Sequence, residues 1–224
     1  MATLSLTTLL TALRATGCGD PHPVLAQGLR YIPPSSRKQI DREAFEELSP
    51  YGFIQGDGFT PEFEDVLHLI GNPAEQFVAY ARDAAGQRGV LVAKRGRTAV
   101  IVVCRNEQVE LESVAPETHP ADALISKLPP CRPAPIKPFS FPQEEFQKES
   151  DIFDEAGSRE AQHLDALFKQ PHVGIGQLQA ENTTVSYLDL EDGRVGIALA
   201  DGYISVVPGE PEQLADKLKA AAPR

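Results

Sequence analysis

The chain has 224 residues, of which 42% are hydrophobic and 24% are charged. This composition is sufficient for a packed core in one large domain or two small ones, and it excludes disorder throughout the chain. The 21 basic and 32 acidic residues give a net charge of −11, which argues against a nucleic-acid-binding surface.

The cysteines and the apolar N-terminal stretch indicate the compartment. Cys18, Cys104 and Cys131 are too few and too widely spaced for a disulfide framework, and they suit a reducing cytoplasm. The apolar stretch from Leu4 to Leu13 is too short to cross a bilayer and is followed by Arg14. We therefore expect a cytoplasmic protein without membrane insertion.

The N-terminal region predicts two helices and one strand before the first repeat. Apolar residues at helical spacing predict amphipathic helices from Ser5 to Thr16 and from Ser36 to Leu48. Between them, Val24 to Ile32 is expected to be an edge strand, because the two prolines that follow would end it. Three glycines between residues 52 and 58 predict a flexible connection to the next helix.

The region from Thr60 to Leu128 has the same plan as the region from Ser158 to Ala222. Each contains an amphipathic helix that ends before a proline, then four strand-like runs, then a helix that begins with proline. The repeated markers are Pro73 and Pro171 after the first helix, and Gly96 and Gly193 at the start of the third run. We therefore predict a duplicated α+β protein in which Gly96 and Gly193 occupy equivalent hairpin positions.

Within the first repeat, the predicted strands define the loop on which part of the predicted contact site lies. Gln76 to Asp83 and Val90 to Lys94 are expected to be strands, and the six residues Ala84 to Gly89 between them are expected to form a mobile loop. Ala99 to Cys104 is apolar at every position, which is typical of a strand near the middle of a sheet.

The second half begins after a change in composition. Residues 129–142 contain six prolines, which excludes a helix and favours an extended connector, with a plain spacer preferred over a ligand for a proline-binding domain. Gln143 to Glu155 is expected to be an acidic helix, and Asp192-Gly193 and Asp201-Gly202 are expected to be hairpin turns. The predicted organisation is an N-terminal half (1–128), a connector (129–142) and a C-terminal half (143–224), together forming one compact unit.

The sequence contains no recognisable catalytic or cofactor-binding motif. It has no phosphate-binding glycine loop, no metal-type cysteine pair and no nucleophile elbow. His68 and His163 lie on the two equivalent predicted helices, and a surface or core position is favoured for them over a metal site. We therefore expect no enzyme activity, no metal, no cofactor and no small-molecule substrate.

Short motifs in both halves resemble the EspG family of cytosolic chaperones of type VII (ESX) secretion in mycobacteria and other actinobacteria. In the first half they are Tyr51-Gly52-Phe53-Ile54, Gly58, Thr60-Pro61, Val66-Leu67 and Ile70-Gly71-Asn72-Pro73. In the second half they are Pro171-His172-Val173-Gly174, Asp189-Leu190-Glu191-Asp192-Gly193-Arg194 and Asp201-Gly202-Tyr203-Ile204-Ser205-Val206. The chain departs from the family pattern in lacking tryptophan, with Tyr203 where the family often has Trp.

The resemblance implies a quasi-twofold structure with a central, mostly antiparallel sheet flanked by helical bundles. It also implies a secreted helical protein pair as partner, PE/PPE-like or WXG100-like, whose helical tip the chaperone would bind until export. Carried over by position, the contacts implied are Tyr80, Arg82, Ala84, Ala85, Gly86, Gln87, Arg88, Phe146 and Phe153.

Two function classes remain open at this point. The first is a chaperone or adaptor for one secreted helical pair. The second is a non-catalytic structural or regulatory component that has no PE/PPE client and forms a homodimer through the same face. The genomic neighbourhood would separate them, because a chaperone gene is expected beside genes for small helical secreted proteins.

Overall fold

The computed structural model describes residues 1–28, 31–148 and 158–219. It divides into two compact units, of which the first comprises residues 1–80 and 86–127 and the second comprises residues 81–85 and 128–224. Both units combine α-helices with an antiparallel sheet, which confirms the predicted α+β class.

The first unit begins with a strand, two α-helices and a short 3-10 helix. These are β1 (Ala2–Ser5), α1 (Leu6–Ala15), a 3-10 helix (Pro23–Gly28) and α2 (Pro34–Leu48). The predicted strand from Val24 to Ile32 is wrong at its start, because the ring of His22 accepts a hydrogen bond from the Val24 amide and starts a helical turn. This turn buries Val24 and Leu25 in the core. Residues 29 and 30 of the predicted strand lie outside the described residues.

A short structured segment leads into the first repeat. It consists of a 3-10 helix (Ser49–Tyr51), β2 (Ile54–Gln55) and β3 (Gly58–Phe59), which pair as a small hairpin. Gly52 and Gly56 lie in turns and Gly58 lies in β3, so this segment is structured rather than the flexible connection that the sequence predicts. The following helix, α3 (Pro61–Gly71), begins where the Thr60 hydroxyl accepts a hydrogen bond from the Phe63 amide.

The predicted four-strand meander of the first repeat is confirmed. It consists of β4 (Glu75–Asp83), β5 (Gly86–Arg95), β6 (Thr98–Arg105) and β7 (Gln108–Ser113), followed by α4 (Pro120–Ile125). The strand order is β1-β7-β6-β5-β4, so β6 is the middle strand of this unit, as the apolar run from Ala99 to Cys104 predicts. Helices α1 and α3 cover one face of the sheet and form the core of the unit with it.

The prediction of a six-residue mobile loop from Ala84 to Gly89 is wrong. The connection is a two-residue turn, Ala84–Ala85, and β5 begins at Gly86. Two local features allow so tight a turn: the Asp83 carboxylate accepts a hydrogen bond from the Ala85 amide at 2.8 Å, and Gly86 has a positive φ of 115°.

The second unit repeats the plan of helix, four strands and helix. Its elements are β8 (Phe139–Pro142), α5 (Gln143–Lys148), α6 (Arg159–Lys169), β9 (His172–Ala180), β10 (Thr183–Leu190), β11 (Gly193–Ala200), β12 (Tyr203–Pro208) and α7 (Pro211–Lys219). The strand order is β4-β9-β10-β11-β12-β8, to which β4 contributes its last three residues. In each unit, one strand from before the repeat pairs with the fourth strand of the repeat: β1 pairs with β7, and β8 pairs with β12.

The two glycines that mark the third strand do not occupy equivalent turn positions. Gly96 is the first residue of the β5–β6 turn, whereas the β10–β11 turn consists of Glu191 and Asp192, so that Gly193 is already the first residue of β11. The predicted turn at Asp201-Gly202 is confirmed, because Ala200 pairs with Tyr203 across it. The repeats are therefore alike in element order but differ in turn register.

The proline-rich residues are held against β11 by Arg194. The Arg194 amide donates to the Arg132 carbonyl at 2.7 Å, and the Arg194 carbonyl accepts from the Ala134 amide at 2.9 Å. Gly193 is required beside this contact, because a Cβ there would lie 2.6 Å from the carbonyl oxygens of Arg132 and Pro133. Residues 139–142 of the same stretch then form β8.

Candidate functional site

The sheet of the second unit is packed differently on its two faces. Helix α6 packs on one face, where Leu164 and Leu167 belong to the same buried cluster as Leu188 and Val206. Helix α7 lies on the opposite face, where Leu214 fills the space beside Gly196. The face that carries α6 is called the α6 face below.

The α6 face has an exposed part that the described helices do not cover. Residues directly opposite each other on antiparallel strands point to the same face, so the register places Ile175, opposite the clustered Leu188, and Leu199, opposite the clustered Ile204, on the α6 face. Their side chains are 40% and 50% exposed. The same register adds four polar positions, and this set is called the open face: Ile175, Gln177, Gln179, Thr184, Ser186 and Leu199.

None of the six side chains of the open face is charged, although the chain carries a net charge of −11. Gln177 and Gln179 are hydrogen-bonded to each other at 3.1 Å, which leaves amide groups along β9 for further hydrogen bonds. Exposed aliphatic residues alternating with uncharged polar ones are typical of a surface that another protein covers.

The open face lies outside the buried cluster that the described helices of the second unit form with its sheet. In the first unit, α1 and α3 pack together over the sheet, with Leu9, Leu13, Phe63 and Leu67 all buried. In the second unit, within residues 128–148 and 158–219, the helix side chains that join the buried cluster on the α6 face come from α5 and α6. Two α-helices, α1 and α2, precede the first repeat, whereas α5 is the one α-helix described before the second repeat in that range.

An aromatic group borders the cluster under α6. The ring of Phe146 on α5 lies 6.1 Å from that of Phe168 and 6.4 Å from that of Phe141, measured between centroids. Phe146 is half-buried, whereas Phe168 at the end of α6 is 46% exposed. Phe146 is one of the predicted contact residues, and it lies beside the exposed ring of Phe168 on α6.

The predicted contact residues around the β4–β5 turn have unequal access to a partner. Arg82, Ala84 and Ala85 are exposed and belong to the second unit. Tyr80 is half-buried against the core of the first unit, and burial raises the pKa of its hydroxyl. Gly86 is half-buried as well.

Arg88 and Gln87 lie within β5 rather than in a loop. The Arg88 guanidinium donates a hydrogen bond to the Lys127 carbonyl at 2.8 Å, and Arg88 pairs with Arg105 of β6. β5 begins four residues earlier than the sequence predicts, and the guanidinium is engaged inside the first unit. Gln87 is exposed. The last predicted contact, Phe153, lies outside the described residues.

Ile175 and Leu199 are not among the contact residues that the sequence predicts. A signal exists for Ile175, since Glu181 is the sole carboxylate or basic side chain between His172 and Ser186, in a chain where charged residues make up 24%. The low charge of this run is visible in sequence, whereas Leu199 lies outside the run. That no described helix covers Ile175 and Leu199 is visible in the fold alone.

The most conspicuous buried charges have a structural role. Arg194 and Asp189 form a bidentate pair at 2.6 and 2.8 Å, with both side chains almost fully buried. The guanidinium also donates to the Pro129 carbonyl at 2.9 Å and lies 4.2 Å from the centre of the Tyr187 ring. Burial acts to lower the pKa of Arg194, but the hydrogen bonds to Asp189 and its negative charge outweigh burial and raise it. The pair fixes the proline-rich segment against β11.

Burial and ring stacking act on several of the other described titratable groups. Burial raises the pKa of the Cys104 thiol, and burial together with the charge of Asp189 raises that of Cys131. His163 stacks on Phe139, with the ring centroids 4.9 Å apart. Over the described ranges, no three His, Cys, Asp or Glu side chains are grouped as metal ligands. None of the described helices has the length and apolar composition needed to cross a membrane.

Comparison with known proteins gives one family and one fold. The family model described as the EspG family matches residues 5–220. The structure is similar to that of the type VII secretion system chaperone EspG5 of Mycobacterium tuberculosis, solved in complex with a PE25–PPE41 dimer, with a TM-score of 0.71 and 14% sequence identity. The alignment covers 97% of this chain and 94% of EspG5, and at this identity it shows a shared fold. No curated protein sequence matches the chain.

Proposed function

The chain belongs to the EspG family, and from this we propose that it is a cytosolic chaperone of a type VII secretion system that binds a PE/PPE-like pair of secreted helical proteins. In this role it covers the exposed apolar end of the pair and keeps the pair soluble until export. The role requires a stable platform and an apolar contact surface, and it requires no catalytic group.

The observation that supports this function is the open face on β9, β10 and β11. Its exposed aliphatic residues, Ile175 and Leu199, are placed on a rigid sheet, so a partner can bury them without first ordering a loop. The glutamine pair on β9 supplies donors and acceptors for the polar groups of a helix end, whose last carbonyls have no partner within the helix.

We place the client contacts on the open face together with the exposed Phe168 and its neighbour Phe146. The exposed positions Arg82, Ala84 and Ala85 of the predicted site, which belong to the same unit, extend this proposal to the end of β4, and Gln87 of the first unit stays a separate prediction. Tyr80, Gly86 and Arg88 are half-buried, and Arg88 already holds a backbone carbonyl, so we assign them a supporting role.

The test uses the purified chain and a PE/PPE pair from the same host, titrated by calorimetry. Replacing Ile175 and Leu199 together by Asp is expected to weaken binding at least about thirtyfold, or about 2 kcal/mol, because anchors buried at the centre of an interface carry most of its energy. Light scattering of the mixture is expected to show one chain bound to one pair.

A matched control is available on the opposite face of the same sheet. Tyr203 is 53% exposed and alternates with Ile204, so it points away from the α6 face. Tyr203→Asp is expected to leave the affinity unchanged within about twofold. Equal losses for both variants, or no binding of any PE/PPE pair together with a stable dimer of this chain, would contradict the proposal and favour the homodimeric component.

A further inference from the structure

We propose that the hydroxyl of Tyr51 and the carboxylate of Glu47 close the outer edge of β1, and thereby prevent this edge from pairing with β1 of a second copy of the chain. The proposal concerns the first unit and is independent of the client-binding face.

The hydrogen bonds of β1 show which backbone groups face outward. In an antiparallel ladder, alternate residues bond to the neighbouring strand and the others point away from it. Leu6 donates to the Glu107 carbonyl at 2.8 Å and so faces β7, whereas the amides of Thr3 and Ser5 donate to side chains from elsewhere in the unit. Thr3 and Ser5 therefore present the free edge of the strand.

Tyr51 occupies both hydrogen-bonding positions of Thr3. Its hydroxyl accepts from the Thr3 amide at 3.3 Å and donates to the Thr3 carbonyl at 2.8 Å. The ring is held by stacking on Phe53 at 5.7 Å, and Phe53 in turn stacks on the buried Phe63 at 4.2 Å. This chain of rings explains why Tyr51 keeps its place although it is 41% exposed.

Glu47 occupies the next outward position. Its carboxylate accepts hydrogen bonds from the Ser5 amide at 2.5 Å and the Ser5 hydroxyl at 2.9 Å, and also from the Thr8 hydroxyl. The same carboxylate therefore closes the edge at Ser5 and lies at the N-terminus of α1, where a negative charge is favourable. Together, Tyr51 and Glu47 hold the hydrogen-bonding groups that a docking strand would use.

A second copy is the partner that this edge fits. A free edge strand is a template for further pairing, and Thr3 offers a donor and an acceptor side by side, so two β1 strands related by a twofold axis would satisfy each other. The strand has four residues, so such a pair would be weak and would depend on both positions being free.

The first measurement is amide hydrogen exchange in the Tyr51→Phe variant, which keeps the stacked ring and removes the hydroxyl. Exchange of the Thr3 amide is expected to be at least about tenfold faster than in the unmodified chain, while that of Val109 on β7 is unchanged. Tyr203→Phe is the control for loss of an exposed tyrosine hydroxyl. An unchanged Thr3 exchange rate would overturn the proposal.

The second measurement is the molar mass by light scattering between about 5 and about 500 μM. The double variant Tyr51→Phe with Glu47→Ala, which removes both side-chain partners of the edge, is expected to self-associate beyond the unmodified chain, and adding Thr3→Pro is expected to abolish the increase, because proline removes the outward amide. No added association, or association that persists with Thr3→Pro, would overturn the proposal. Thermal unfolding verifies that each variant is folded. If the double variant does not fold, the hydrogen exchange of Tyr51→Phe tests the proposal.

Discussion

Arg194 organises more of the second unit than any other single side chain described above. It joins β10 to β11 through Asp189, contacts Tyr187, and binds the proline-rich segment through both its backbone and its guanidinium. The motif from Asp189 to Arg194, which resembles the EspG family pattern, thus has a physical role: it anchors residues 129–134.

At the residue scale, Arg194→Met is expected to lower the free energy of unfolding by about 3–5 kcal/mol, because it leaves the Asp189 carboxylate buried without its partner. The measurement is urea unfolding followed by circular dichroism. Arg14→Met is the control, since the Arg14–Asp41 pair has a similar distance of 3.0 Å but side chains 46% and 51% exposed. It is expected to cost less than about 1 kcal/mol. Similar losses for both variants would show that burial does not set the strength of the Arg194 pair.

At the scale of elements, the proline-rich segment is packed against the β10–β11 hairpin through Gly193. Its φ of 134° is unfavourable for other residues, and a side chain there would collide with two backbone carbonyls of the segment. Gly202 also has a positive φ, 78°, but no atom lies within 4 Å of the position that its Cβ would take.

These two glycines separate backbone strain from collision. Gly202→Ala is expected to cost about 1 kcal/mol of unfolding free energy from strain alone. Gly193→Ala is expected to cost about 3 kcal/mol or more, and to speed proteolysis within residues 129–138, because the segment must move away. The measurements are urea unfolding and limited proteolysis. If the two variants lose equal stability, the contact between the hairpin and the segment contributes nothing.

At the scale of the whole molecule, the chain is strongly acidic, whereas the open face carries no charged side chain. The chain carries an excess of 11 negative charges, and the six side chains of the open face are uncharged. Binding through this face is therefore expected to respond weakly to salt, because screening acts on charged groups.

Raising the ionic strength from about 0.05 M to about 0.5 M is expected to change the Kd for a PE/PPE pair by less than about threefold. Calorimetric titration at both salt concentrations measures this. A tenfold or larger weakening would mean that ion pairs carry the association, and it would move the contact surface away from the open face, toward charged positions such as Arg82.

The sequence by itself determined the element order. Prolines and glycines end elements through local backbone restrictions, and the apolar spacing of helices and strands is also local, so the duplicated plan and the central position of Ala99 to Cys104 in its unit were predictable. Predictions failed where a local pattern had two outcomes. Gly86 and Gly89 suggested a loop, but the Asp83 side chain closes a two-residue turn, and the apolar Val24 and Leu25 suit a buried helical turn as well as a strand.

The tertiary structure alone decided which surfaces are free. Arg88 resembles an exposed anchor in sequence, yet it bonds to a carbonyl 39 residues away. Ile175 resembles a buried strand residue, yet it is 40% exposed, and it lies outside the cluster that the described helices form with the sheet. Whether a side chain is covered depends on elements distant in sequence, and for that reason element order could be predicted from the sequence and the open face could not.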